Sequence, residues 1–64
     1  MPDLYPVTVG DMIAEVRREL EMRRNVYARA AREGRMNRHQ ADRRIEIMAA
    51  VLARLEQQQR KGAR

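Results

Sequence analysis

No cysteine occurs anywhere in the 64 residues. That excludes a disulfide framework and a thiolate metal site, two devices that often hold short chains together. The absence also fits a reducing compartment. Phenylalanine and tryptophan are missing too, and Tyr5 and Tyr27 are the only aromatic residues. Stacking of bases on aromatic platforms, the usual device of single-strand nucleic-acid binders, therefore has little to work with. Serine is absent, and Thr8 stands where a helix cap is needed, so no hydroxyl nucleophile is free to pair with a base. His39 is the single histidine, and no cysteine or second histidine stands with it to complete a metal site. Glycine-rich phosphate loops and paired-carboxylate clefts are missing as well. An enzyme is not expected, nor a metal, nor a cofactor.

Long apolar runs are also lacking. None approaches the roughly 18 residues needed to cross a membrane, and no basic stretch followed by an apolar core marks a signal peptide. A soluble, cytoplasmic chain without membrane contact is expected. At 64 residues it is one domain at most. Such a chain buries only about 60% of its unfolded surface and is marginal alone.

What the chain does have is charge. The net value is +5, from 14 basic and 9 acidic residues, and every basic residue except Lys61 is arginine. Guanidinium groups bind phosphate bidentately, which would suit nucleic acid. The acids are well interspersed, however, and an arginine- and alanine-rich composition from a GC-rich genome explains the excess more simply.

The second abundance is patterned apolar residues. Val9, Ile13, Val16, Leu20, Tyr27 and Ala30 step by threes and fours, interrupted at Arg23. Ala41, Ile45, Met48, Leu52 and Leu55 repeat the pattern after Gly34. This spacing predicts two amphipathic helices, over about 9–33 and 38–59, joined by a turn at 34–37. Thr8 caps the first, with Asp11 as the acid of a shortened capping box. Gly34 supplies a left-handed C-terminal residue. Asn37 caps the second helix, Gln40 takes the box position, and Met36 with Ala41 forms a hydrophobic staple. Residues 1–7, with both prolines, are expected as an extended arm, and 60–64 as a frayed basic tail. The fold is thus all-α, an antiparallel helical hairpin. Folding about the turn sets Tyr27 near Ile45 and Met48, Leu20 near Leu52, and Val16 near Leu55. Val9, Met12 and Ile13 then lie beyond the last apolar residue of the second helix. Leu4, Tyr5 and Val7 of the arm, or a second chain, must cover them.

The apolar arcs are too wide for a hairpin alone. At 100° per residue the second helix is apolar over about 200°, from Ala49 round to Ile47, where a single core face needs little more than about 100°. Met22 and Val26 widen the first helix in the same way. A lone hairpin would leave Met22, Val26, Ile47 and Val51 wet, with Met12 beside them, and a patch of that kind marks an interaction site. The economical answer is a homodimeric four-helix bundle, and a heteromeric partner is its rival. Methionines such as Met12, Met22, Met36 and Met48 serve as core filler or as an adaptable binding surface.

Arg23 falls near the centre of the first helix's apolar arc, with Glu19 one turn earlier in the favourable order for an ion pair. Such a polar layer can fix register and oligomeric state, or anchor a partner's charged group. Around the turn, residues 17–44 hold ten arginines against four acids, a local +6, while residues 1–16 carry three acids and no base. The hairpin should be positive at its tip and negative at its open end. Arg32, Arg35 and Arg38 bracket the turn and are the candidates for phosphate contact, aided by a helix N-terminus. A helix-turn-helix reader is disfavoured, because the helices are long, seam-matched and lack a third.

From about residue 20 to 52 the chain resembles small proteins encoded in phage and prophage genomes. The carrying residues are MRRNVY (22–27), GRM (34–36) and ADRRIEIM (41–48). Members often place proline after the tyrosine, where this chain has Ala28, which lets the first helix continue. The resemblance implies an accessory phage protein that binds and modulates a host protein, and it supplies no catalytic residue. Protein–protein binding is therefore the expected function. A small basic nucleic-acid-binding protein acting through the arginine tip is the alternative.

Overall fold

The computed structural model describes residues 6–62, of which Pro6, Val7 and Thr8 are non-helical. Most of the expected arm, including Leu4 and Tyr5, lies outside the described residues, as does the end of the tail. Two helices follow, α1 (Val9–Arg32) and α2 (Arg38–Gly62), and no strand occurs among the described residues.

Each helix boundary has a local cause. The Thr8 hydroxyl accepts from the Asp11 N–H at 3.0 Å, and the Thr8 N–H donates to Asp11 Oδ2 at 3.0 Å. These reciprocal bonds close a capping box and put a carboxylate at the positive end of the helix dipole. At the other end Gly34 takes φ +74°, a conformation in which a Cβ would crowd the backbone. The Arg35 N–H then reaches the Ala30 carbonyl at 2.9 Å and the Gly34 N–H the Ala31 carbonyl at 3.2 Å. That pair of bonds is a Schellman closure, which satisfies carbonyls the helix leaves open. Asn37 Oδ1 accepts from the backbone of His39 at 2.7 Å and of Gln40 at 3.4 Å, so α2 starts where the asparagine predicts. Met36 is half-buried and Ala41 buried, the pattern expected of a staple.

α2 does not end at Gln59. It runs through Arg60 and Lys61 to Gly62, so the expected fraying of 60–62 is corrected. Gln57 to Lys61 are all good helix formers, and two cations in the last turn complement the negative end of the dipole.

Three observations make the hairpin antiparallel and set its register. A Cβ added at Gly10 would lie 3.5 Å from Gln59 Nε2. Arg17 and Glu56 form an ion pair at 2.8 Å across the helices. Tyr27 and Ile45 line one cleft. Leu20 therefore stands level with Leu52, and Val16 with Leu55, as the apolar spacing predicts. Ile13, Leu20, Ala30 and Ala41 are the buried core. Ile13 is only 4% exposed, so no second chain is needed to cover it, whereas Leu4 and Tyr5 of the expected cover lie outside the described residues. α2 is long enough to lie alongside Ile13, and Val7 of the arm is exposed. The rest of the seam (Val9, Val16, Tyr27, Ile45, Met48, Leu52 and Leu55) is half-buried. Two helices without a third layer can cover each other on one side only.

Candidate interaction surface

The hairpin has two broad faces, and the sequence finishes them differently. On one, Arg17 and Glu56 tie α1 to α2. Toward the tip the same face holds a cleft of about 340 Å³, whose floor includes Tyr27, Ala31, Ala41 and Ile45. Arg24, Arg38, Asp42 and Glu46 stand around it. This side is closed by charged groups. The cleft escapes a reading of apolar periodicity, because its cause is size: alanines at 28, 31 and 41 leave a hollow where leucines would fill it.

The other face is open and apolar. At about 100° per residue, Met22 and Val26 on α1 and Ile47 and Val51 on α2 project to the side away from Arg17, Arg24, Glu46 and Glu56. The register puts Val26 level with Ile47 and Met22 level with Val51. The four make a two-by-two patch astride both helices, and they are 46–51% exposed. Met12, 40% exposed, lies farther along α1 toward its N-terminus. These are the residues that the arc widths single out. With the half-buried Met48 and Leu55 beside them they present an apolar area on the order of a few hundred Å².

Arg23 does not sit inside the packed seam. Its side chain is 45% exposed, its Nε is 3.4 Å from Glu19 Oε2, and its guanidinium lies 6.0 Å from the centre of the Tyr27 ring. The expected Glu19–Arg23 pair is therefore formed, but along the line where the seam meets the open face. Arg23 is central to the full apolar arc because half of that arc faces α2 and half faces outward. On the outer edge of α1, Arg18 pairs with Glu15. That hydrogen bond, with the charge of the same carboxylate, holds the guanidinium above its ordinary range.

The three arginines of the tip have separate surroundings. Arg35 turns back on Glu33, its Nε donating at 2.9 Å and its Nη2 also bonded there. Arg38 stands at the cleft on the closed face. Arg32 occupies the last turn of α1, where a cation complements the helix dipole. The expected negative open end is corrected as well. α2 brings Arg54, Arg60 and Lys61 beside Asp11, Glu15 and Glu19, so described residues 6–20 and 53–62 hold five bases against four acids. Residues 21–52, the tip half, hold eight against four.

His39 is exposed, and among the described residues no three His, Asp or Glu side chains cluster as metal ligands would. No helix among them is long and apolar enough to cross a membrane. Comparison with protein-family models, with curated proteins and with solved structures finds no match for this chain.

Proposed function

We propose that this chain works by protein–protein contact, and that its open face takes a second copy of the chain to form a four-helix bundle. The two-by-two patch of Met22, Val26, Ile47 and Val51 carries the reading. Two helices of 24 and 25 residues side by side present a face roughly 36 Å long and about 20 Å wide. That is on the order of 700 Å², close to the 800 Å² or so that each partner gives to an ordinary stable interface. Covering the face also completes the half-buried seam, each apolar side chain gaining on the order of 1 kcal/mol as its second half leaves water. Arg23 and Glu19 would lie at the edge of the new core and bias its register. The resemblance to phage-encoded hairpins is what points to a host protein as the further target of the assembled bundle.

The test is a double substitution, Val26→Glu with Ile47→Glu. Both positions are exposed in the single hairpin, so its helical circular dichroism should persist. In sedimentation velocity the parent should run as a dimer and the variant as a monomer. A variant that remains dimeric would show that the copies meet elsewhere.

Nucleic-acid binding through the tip is the weaker reading, because Glu33 already neutralises Arg35. Phosphate contact requires an affinity that falls log-linearly with salt. We expect no measurable binding of duplex DNA or single-stranded RNA even at low salt, and a steep salt slope would reverse this preference.

A further inference from the structure

The hairpin carries its sulfur on the outside. With no cysteine in the chain, thioethers are its only sulfur groups. Among the described residues they belong to Met12, Met22, Met36 and Met48. Met22 is 47% exposed and Met12 40%, and both lie on the open face. Met36 and Met48 are half-buried, one at the turn and one in the seam. The buried core of Ile13, Leu20, Ala30 and Ala41 holds no methionine. An oxidant of thioethers therefore meets the open face first and the packing of the hairpin last.

Met22 is the methionine that bears on assembly. It belongs to the apolar four, one turn before Val26 on α1 and level with Val51 on α2. Met12 lies about 15 Å nearer the start of α1, beyond that patch. In a face-to-face pair Met22 enters the interface whichever way the two tips point. The side chains of Val26, Ile47 and Val51 carry no hydrogen-bond donor, and Arg18, one turn before Met22, is held by Glu15. A sulfoxide oxygen pressed against the three aliphatic side chains exchanges water for hydrocarbon, which is unfavourable. The thioether itself is apolar and flexible, and packs there without that cost.

Resting on the reading that the open face takes a second copy, we infer that Met22 makes the pairing redox-sensitive. Oxidation of its thioether to the sulfoxide separates the copies and leaves each hairpin folded. The oxidant is a hydroperoxide, of which hydrogen peroxide is the simplest. The sulfur lone pair attacks one peroxide oxygen, and an S–O bond forms as the O–O bond breaks. The displaced oxygen takes up the proton of the transferred hydroxyl and leaves as water. Sulfur loses two electrons and the peroxide gains them. Methionine sulfoxide reductases return the thioether, so the change is reversible.

Peroxide treatment of the purified chain tests this, read by sedimentation velocity, circular dichroism and peptide mass spectrometry. Met22→Leu is the comparison, because leucine keeps an apolar side chain of similar volume and has no sulfur to oxidise. The parent bearing the Met22 sulfoxide should sediment as a monomer at a concentration where the untreated chain is a dimer. Its dissociation constant should rise at least about tenfold, with the helical signal unchanged. Met22→Leu treated alongside should remain a dimer. A parent that stays dimeric with Met22 fully oxidised would overturn the inference, and so would equal dissociation of the treated Met22→Leu. Loss of the helical signal would also overturn it, by showing that oxidation acts on the fold. A monomer mass before any peroxide is added refutes the pairing itself, so the two failures are distinct.

Discussion

At Gly34 the backbone holds a φ of +74°, whereas Gly10 has no positive φ and sits in the first turn of α1. An L side chain enters the left-handed region at a cost of about 1 kcal/mol, so Gly34→Ala should lower stability by roughly that amount. At Gly10 a Cβ would meet Gln59 Nε2 at 3.5 Å and Thr8 Oγ1 at 3.6 Å, ordinary contact distances. There the same change removes unfolded-state entropy and should raise stability by roughly 0.5–1 kcal/mol. Urea midpoints of both variants at one protein concentration check the opposite signs. Arg23 supplies the second prediction at this scale. It leans on Glu19 and Tyr27 rather than on α2, so Arg23→Leu should leave helicity intact and change the oligomeric mass. An unchanged dimer would show that Arg23 has no part in setting register.

The helices are held by a narrow seam with small residues near the turn. Leu20 is among the few buried side chains, and Leu20→Ala should cost about 3 kcal/mol. For a chain this small, that removes much of the margin, and the thermal transition should broaden or vanish in circular dichroism. The Arg17–Glu56 pair is exposed, so a double-mutant cycle should find a coupling below about 1 kcal/mol. Much of this level was legible in the chain. Thr8, Asp11, Gly34 and Asn37 act through their own backbone neighbours, so sequence spacing is enough to place the helix ends. The end of α2 was less legible, because Gln57 to Lys61 carry no apolar pattern and helix propensity alone extends them. The cleft beneath Arg24 and Arg38 was not legible either. It arises from alanine volumes on two helices brought together, and no single-helix periodicity reports that.

The molecule as a whole is two-faced, one side closed by charge and the other left apolar. Its candidate surface could be read from arc widths, because Met22, Val26, Ile47 and Val51 lie beyond what one neighbouring helix can cover. The charge polarity could not be read as simply, since the fold sets Arg54, Arg60 and Lys61 beside the acids of α1. If the open face pairs with a second copy, stability is linked to protein concentration, and the melting temperature should rise as the chain is concentrated. Sedimentation equilibrium of the unmodified chain over a series of micromolar concentrations is the simplest check on that pairing. The expected result is a mass of twice 7.6 kDa, falling toward the single-chain value only on dilution. A single-chain mass across the whole series would contradict it.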